Sequence, residues 1–315
     1  MKPLVVITGP TAVGKTELSI KIAKAIDGEI ISADSIQVYK HMDIGSAKIT
    51  KEEMQGIKHY LVDEFEPDEE FNVHVFKEKT LEYMDKIYES GKIPIIVGGT
   101  GFYIQSVLYD IQFNDEEIDS AYRKELENIA KEKGNDYLHD MLKEVDEESA
   151  LNIHKNNVKR VIRALEFYKN TGEKISTHNE EQSQNISPYN FVYFVLNDKR
   201  ELLYERINKR VDIMFDKGLV NEVKNLLNMG YTKDLVSMNG IGYKEVVDYI
   251  NGKYSLDETK EIIKRETRHF AKRQLTWFRR EKDVTMVNYF DYDSIDDTLK
   301  YMINTLKEKD IIKND

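Results

Sequence analysis

The sequence contains no cysteine among its 315 residues. Disulfide bonds, thiolate catalysis and zinc sites built on cysteine are therefore excluded. The seven histidines are scattered without a paired spacing, so no histidine-based metal site is predicted either. No apolar run approaches the roughly 20 residues that a membrane-spanning helix requires, and the chain opens on a strand pattern without a basic leader. We expect a soluble, cytoplasmic protein that does not contact a membrane.

The formal net charge is −11. Such an acidic balance argues against a protein that coats nucleic acid indiscriminately, but it does not exclude a local basic patch that binds RNA. A chain of this length is long enough for about two domains, and it can bury a substantial hydrophobic core.

The most informative stretch lies at the start of the chain. Leu4, Val5, Val6 and Ile7 form a short apolar run that is typical of a buried parallel strand. The next residues match the pattern G-x-x-x-x-G-K-[ST] without interruption. They are Gly9, Pro10, Thr11, Ala12, Val13, Gly14, Lys15 and Thr16.

This pattern predicts a phosphate-binding loop, or P-loop. Its backbone N–H groups point inward at a polyphosphate, and the following helix adds the positive end of its dipole. Lys15 supplies a mobile positive charge for the terminal phosphates, and Thr16 supplies a hydroxyl ligand for Mg²⁺. The sequence therefore predicts a phosphate-bearing ligand, with Mg²⁺ as cofactor.

A second predicted strand, over residues 29–33, ends at Asp34. In an open parallel sheet the carboxyl ends of the strands face the ligand crevice, so we expect Asp34 to lie near the P-loop. A carboxylate there could hold Mg²⁺ or accept a proton from an attacking group. Alternatively, Asp34 caps a short helix. Residues 35–48 are predicted to form a polar loop, the kind of segment that often carries function.

Further strands are predicted over 93–97, 191–196 and 284–289, and an amphipathic helix over 71–90. The alternation of strands and helices predicts an α/β fold, a P-loop NTPase-like doubly wound parallel sheet. Gly98 and Gly99 follow the strand over 93–97, where they would permit close approach of a ligand beside the Thr100 hydroxyl. The alternative for this segment is a tight turn that caps a helix.

Between these strands, residues 115–188 show apolar positions at helical spacing and no strand pattern. They predict a helical insertion domain, with residues 1–114 and 189–315 forming the core domain. A helix over 156–170 carries a basic cluster of Lys159, Arg160 and Arg163. Such a cluster is either a solvated face or an RNA contact.

A second basic helix is predicted over residues 263–282. At about 100° per residue, one stripe of this helix is basic and the opposite stripe is apolar. The basic stripe consists of Arg265, Arg268, Lys272 and Arg279, and the apolar stripe of Ile263, Phe270 and Trp277. One face in the core and a basic line outside are typical of a helix that binds a phosphate backbone.

With these segments assembled, the chain resembles the bacterial tRNA dimethylallyltransferases, also called tRNA isopentenyltransferases. The resemblance spans nearly the whole length. It rests on ordered motifs at residues 9–16, 34–39, 42–48, 98–103, 160–166, 242–245 and 267–279. Ser46 stands where the family usually has Thr, and Lys159 stands where it usually has Gln.

The resemblance implies transfer of a dimethylallyl group from dimethylallyl diphosphate to the exocyclic N6 amine of the adenosine just 3′ of a tRNA anticodon. The P-loop would then hold a prenyl diphosphate rather than ATP. Asp34 would act as general base, while Lys15, Arg210 and Mg²⁺ on Thr16 would neutralise the leaving diphosphate.

The resemblance also implies contacts with a tRNA anticodon stem-loop. Asp34, Ser35, Ile36 and Gln37 would hold the base, which must be swung out of its stack. Thr100 and Arg123 would contact the RNA around that base. Lys159, Arg160, Arg163 and the basic stripe would bind flanking phosphates. We expect the protein to act as a monomer.

Two other functions are compatible with a P-loop. The first is a kinase that acts on a small metabolite, which leaves the helical insertion and the basic stripe without a role. The second is a nucleotide-controlled RNA-binding switch that transfers no group. Binding of ATP in preference to dimethylallyl diphosphate would favour either of them.

Overall fold

The computed structural model describes residues 1–113 and 120–313. The chain divides into two compact units, Met1–Leu108 with Pro188–Asp315 and Tyr109–Ser187. The sequence predicted an insertion over 115–188, and its first boundary lies outside the described residues. Within the described ranges no helix is both long and apolar enough to cross a membrane.

The first unit is built on a six-stranded sheet in which every paired strand is parallel. The strands are β1 (Lys2–Thr8), β2 (Gly28–Ala33), β3 (His59–Tyr60), β4 (Ile93–Gly98), β5 (Tyr189–Asn197) and β6 (Val284–Asn288). Their order across the sheet is β3-β2-β4-β1-β5-β6. The predicted α/β parallel sheet is confirmed. The edge strand β3 was not predicted, because two residues are too few to show a periodicity.

The helices are numbered along the whole chain. They are α1 (Lys15–Ile26), α2 (Lys51–Met54), α3 (Val73–Glu89), α4 (Gly101–Leu108), α5 (Ser120–Val145), α6 (Glu147–Asn152), α7 (Val158–Thr171), α8 (Ile175–Ser183), α9 (Arg200–Asp216), α10 (Leu219–Asn228), α11 (Tyr243–Ile250), α12 (Leu256–Phe278) and α13 (Ile295–Glu308). The predicted basic helix over 263–282 is α12, which begins earlier and ends earlier than expected.

The core of the first unit explains why the central strands read as continuous apolar runs. Val5 and Ile7 of β1, Ile95 of β4 and Leu18 and Ile22 of α1 are fully buried in one hydrophobic cluster. Burial of one such side chain stabilises the fold by about 1.5–3 kcal/mol. The packing of α1 on the sheet therefore fixes the short loop that joins β1 to α1.

The register of the sheet brings three chain segments to one edge. Thr8 of β1 pairs with Gly98 of β4, and Ala33 of β2 pairs with the other side of Gly98. The P-loop follows Thr8, Asp34 follows Ala33, and Thr100 lies just beyond Gly98. Parallel strands all end at the same edge, so these segments face a common crevice.

The second unit is helical and has its own core. Leu126, Leu138, Leu142, Val161 and Leu165 are buried in a cluster between α5 and α7. Helix α5 is kinked at Gly134, whose φ is 87° and ψ 165°. The predicted helix over 156–170 is observed as α7.

Candidate active site at the carboxyl edge of the sheet

The P-loop joins β1 directly to α1. Gly14 immediately precedes α1 with a φ of 98°, in the left-handed region that a residue with a Cβ rarely adopts. The backbone can therefore turn sharply, and the first N–H groups of α1 remain available for an anion. Thr16 lies in the first turn of α1 with its side chain exposed.

Lys15 folds back over the P-loop. Its Nζ donates hydrogen bonds to the carbonyl oxygens of Gly9 and Pro10, each at 2.9 Å. Burial, and to a smaller degree the charge of Arg210, lower the pKa of Lys15 from its usual 10.5 to about 8, and the charge of Asp34 opposes this shift. Lys15, Asp34 and Arg210 thus form one interacting charged group at the end of the sheet.

Arg210 reaches this group from α9. Burial lowers the pKa of its guanidinium below the usual range, and the charges of Asp34 and Glu53 raise it. Among the described residues, Arg210 has no hydrogen-bond or ion-pair partner. A half-buried guanidinium without a protein partner favours an anionic ligand, because its donors are unused and its solvation is reduced.

Asp34 lies where the strand pattern predicted it, directly after β2. Its Oδ1 accepts hydrogen bonds from the backbone N–H groups of Ile36 at 2.9 Å and Gln37 at 3.1 Å. Within the described stretch between β2 and α2 the chain forms no helix, so the alternative of a helix cap is wrong. The carboxylate instead stabilises a turn with one oxygen, and Oδ2 has no hydrogen-bond partner within the described chain.

Gln274, a buried residue of α12, was missed by the sequence analysis. Its Oε1 accepts a hydrogen bond from the backbone N–H of Thr11 at 2.9 Å, and its Nε2 donates one to the Gly99 carbonyl oxygen at 3.0 Å. One side chain therefore ties the P-loop to the end of β4. No local pattern signalled this role, because a lone glutamine in a basic helix has the appearance of a surface residue.

The glycines after β4 admit the protein's own side chains. A Cβ on Gly99 would lie 2.2 Å from Gln274 Nε2, and one on Gly101 would lie 2.2 Å from Trp277 Nε1. The close approach expected at this strand end is thus made by α12. Thr100 sits between these glycines, and its backbone N–H donates a hydrogen bond to the Ala33 carbonyl oxygen at 3.2 Å.

An aromatic side chain, Tyr103, stands close to Asp34. Burial raises the pKa of Tyr103 to about 12, with the charges of Tyr39 and Asp34 contributing. The Tyr103 ring stacks on Phe76 with a centroid separation of 4.7 Å and contacts Phe71 edge-on at 6.0 Å. Asp34 therefore has a neutral, largely apolar neighbour on this side.

Helix α12 presents its basic stripe to solvent, but its apolar face is not the predicted one. Phe270 is 36% exposed and Trp277 is only half-buried. The buried positions of α12 are Thr259, Ile263, Ala271, Gln274 and Phe278. On a straight helix, residues seven positions apart are offset by about 20° around the helix axis. The predicted apolar stripe, whose members are seven residues apart, therefore turns away from the core. Small and polar residues occupy much of the true core face.

The four predicted basic residues of α12 differ in their contacts. Arg268 donates a hydrogen bond to Asn208 Oδ1 at 2.6 Å, and Arg265 pairs with Glu266 at 3.0 Å. Lys272 and Arg279 are exposed. Lys272 lines a groove of about 440 Å³ on the outside of α12. The lining residues are His269, Lys272, Arg273, Thr276, Trp277 and Arg280.

The remaining predicted RNA contacts lie in the helical unit. Arg123 makes a two-pronged ion pair with Glu166, with Nε–Oε1 at 2.8 Å and Nη2–Oε2 at 2.7 Å. Lys159, Arg160 and Arg163 are exposed on α7. Although Arg163 as a residue is exposed, packing around its guanidinium is the largest cause that lowers its pKa, and the charges of Arg123 and Arg160 act in the same direction. This mutual repulsion would be relieved by a bound phosphate.

The described residues of this site could hold Mg²⁺ only together with a bound phosphate ligand. Across residues 1–113 and 120–313, no cluster of three or more metal-binding side chains occurs. Mg²⁺ bound to a diphosphate needs only one or two protein ligands, because phosphate oxygens and waters complete its octahedron. The exposed Thr16 hydroxyl, which has no hydrogen-bond partner in the described chain, suits that role.

Comparisons with known proteins agree with this arrangement. A family model described as IPP transferase matches residues 37–281. A protein of Lachnoclostridium phytofermentans, named tRNA dimethylallyltransferase, is 61% identical over 99% of this chain and 100% of its own length.

Solved structures give the same result. The full-length tRNA isopentenylpyrophosphate transferase from Bacillus halodurans is 43% identical, with a TM-score of 0.74 over 98% of both chains. A eukaryotic dimethylallyltransferase, captured acting on tRNA, is 28% identical with a TM-score of 0.82, over 98% of this chain and 80% of its own.

Proposed function

Because this chain belongs to the IPP transferase family, we propose that it transfers a dimethylallyl group from dimethylallyl diphosphate to tRNA. The acceptor is the N6 amine of the adenosine just 3′ of the anticodon, and the products are N6-dimethylallyladenosine and diphosphate. The observation that carries the proposal is the charged group of Lys15, Asp34 and Arg210 at the P-loop. It joins two cations that suit a diphosphate with one carboxylate that suits a proton.

The donor side of the reaction is a leaving-group problem. The bond between C1 of the dimethylallyl group and the diphosphate oxygen breaks, and its electron pair leaves with the diphosphate. Backbone N–H groups of the P-loop, Lys15 and Arg210 hold that developing negative charge. When bound, Mg²⁺ on the Thr16 hydroxyl supplies further neutralisation of the diphosphate.

The acceptor side requires a base. As the N6 lone pair forms the new C–N bond to C1, the nitrogen becomes positively charged and must release one of its protons. Asp34 Oδ2 is the carboxylate oxygen that remains available, because Oδ1 is engaged by the Ile36 and Gln37 amides. These two amides also hold the carboxylate in one orientation, which favours proton transfer from a fixed position.

Binding of tRNA by an acidic protein depends on local positive charge. The exposed cations of α7 and of α12 supply it, and both helices carry residues predicted to contact phosphates. Ser35, Ile36, Gln37 and Thr100 lie beside Asp34 along the chain or across the sheet register, where they suit contacts to the target base. Because the proposed substrate is a tRNA, we propose that the protein acts in the cytoplasm, and that a monomer suffices.

Nucleoside analysis tests the proposal directly. Unmodified tRNA is incubated with the protein, Mg²⁺ and dimethylallyl diphosphate, then digested and analysed by mass spectrometry. We expect N6-dimethylallyladenosine, together with one diphosphate released for each modified base. Parallel reactions with ATP test the kinase and switch alternatives. Tight ATP binding without any modified nucleoside would refute the proposal.

A further inference from the structure

The loop between Met42 and Lys48 is held by a carboxylate from a distant helix. Glu222 of α10 accepts hydrogen bonds from three consecutive backbone N–H groups, those of Asp43 at 2.9 Å, Ile44 at 2.6 Å and Gly45 at 3.0 Å. Such a run of amides forms a concave anion site, and here the protein fills it with its own side chain.

A tyrosine completes this attachment. The hydroxyl of Tyr243, at the start of α11, donates to Glu222 Oε1 at 2.8 Å and accepts from the Ser46 N–H at 3.1 Å. Its ring is fully buried, and a Cβ on Gly45 would lie 2.6 Å from it. Burial and the Glu222 charge raise the pKa of Tyr243 well above its usual range, so the hydroxyl keeps its proton. We call Glu222 and Tyr243 the loop anchor.

The anchored loop in turn orients Gln37. Both contacts of Gln37 Nε2 are to backbone carbonyl oxygens, that of Ser46 at 3.2 Å and that of Ala47 at 3.2 Å. Carbonyl oxygens only accept hydrogen bonds, so the nitrogen of the amide must face them. Both N–H groups are therefore used, and Gln37 Oε1 has no partner among the described residues.

We propose that the loop anchor is a positioning device that presents Gln37 as a hydrogen-bond acceptor only. This inference rests on the proposed function, because the group that Gln37 contacts is the 6-amino group of the target adenine. That amine has two protons. Asp34 Oδ2 takes the one that is lost on transfer, and Gln37 Oε1 accepts a hydrogen bond from the one that stays.

The arrangement selects the base by its chemistry. An adenine offers an amino donor at position 6, whereas a guanine offers a carbonyl oxygen, which would face the Gln37 oxygen without a hydrogen between them. Gln37 is half-buried, and an acceptor that the bound base covers but leaves unpaired makes such discrimination strong. A free glutamine could rotate its amide and accept either base, but the carbonyls of Ser46 and Ala47 prevent that rotation.

The experiment compares two anticodon stem-loops that differ only at the target base, adenosine or purine riboside, which lacks the 6-amino group. Dissociation constants are measured by fluorescence anisotropy in the presence of Mg²⁺ and diphosphate. For the unmodified protein we expect adenosine RNA to bind about tenfold more tightly. Gln37→Leu should reduce this preference to about threefold, because Asp34 Oδ2 can still accept a hydrogen bond from the amine.

The loop anchor is tested by Tyr243→Phe and Glu222→Gln, each of which should reduce the preference at least threefold. Tyr249→Phe is the matched control for the first, since it lies on the same helix and its hydroxyl has no partner among the described residues. Glu201→Gln, an exposed residue of α9, is the control for the second. Both controls should keep the tenfold preference. A residue that serves stability alone would lower the melting temperature and leave the ratio unchanged.

Outcomes separate this inference from the proposed function. Transfer to adenosine RNA by the unmodified protein, with a preference that Gln37→Leu leaves intact, would overturn the inference alone. An unchanged preference in both anchor variants would likewise overturn the role of Glu222 and Tyr243. Absence of any transfer by the unmodified protein would overturn the proposed function and this inference with it.

Discussion

Replacement of Gln274 tests whether one buried side chain organises the P-loop. Gln274 is 6% exposed, and its two hydrogen bonds connect Thr11 N–H and the Gly99 carbonyl. Gln274→Met keeps the length and approximate volume of the side chain and removes both hydrogen bonds. Any effect then reports on the hydrogen bonds and not on a cavity.

The size of the effect follows from what is left unpaired. Each net hydrogen bond contributes about 0.5–1.5 kcal/mol, and a buried group that loses its partner costs about 1–3 kcal/mol. Both partner groups are only partly buried, so water can restore part of the loss. We expect a destabilisation of about 2 kcal/mol, and a diphosphate affinity about five- to tenfold weaker because the Thr11 amide is no longer held.

Two measurements are required. Thermal unfolding with and without diphosphate gives the stability and its increase on binding, and isothermal titration calorimetry gives the diphosphate affinity. The matched control is Gln184→Met, an exposed glutamine whose side chain has no hydrogen bond within the described residues. If Gln274→Met matched this control in melting temperature and in diphosphate affinity, the tie between α12 and the P-loop would be refuted.

Three further predictions concern charge. Because the pKa of Lys15 is lowered to about 8, the Mg²⁺-free diphosphate affinity, divided by that of Lys15→Met so that titration of the diphosphate cancels, should be level below about pH 7 and fall up to tenfold per unit above pH 8. A ratio that stays flat between pH 7 and 9.5 would contradict this. Asp34→Asn should lower turnover by about 10²- to 10⁴-fold with little loss of tRNA affinity, measured by single-turnover transfer and filter binding, and unchanged turnover would remove Asp34 as the base. Arg268→Ala and Lys272→Ala should each reduce the salt slope of tRNA binding by about one without altering diphosphate affinity. An unaltered salt slope would count against the basic stripe. Because Arg268 also contacts Asn208, only the replacement of Arg268 should lower the melting temperature.

The parts of the fold that follow from local patterns could be predicted from the sequence. Five of the six strands were located to within two residues, because buried parallel strands are continuous apolar runs. Residues 35–48 were predicted as loop, and the structure has neither helix nor a paired strand ladder there. The P-loop could be predicted because its conformation depends on its own eight residues and on the two flanking elements, β1 and α1.

Contacts between distant segments could not be predicted in the same way. Gln274 and Thr11 are 263 positions apart, and Glu222 and Asp43 are 179 apart. Nothing in the local spacing of either side chain indicates its partner. The core face of α12 was misassigned for a related reason, since its buried positions include Ala271 and Gln274, which an apolar pattern does not detect.

The separation between Thr11 and Gln274 also has a consequence for synthesis of the protein. A ribosome that adds about 5–20 residues per second needs roughly 15–50 s to make the intervening chain. During that interval the nascent P-loop lacks its α12 partner, and β1 lacks its neighbour β5 for much of the time. The crevice at the carboxyl edge of the sheet is therefore completed only as the last fifth of the polypeptide leaves the exit tunnel.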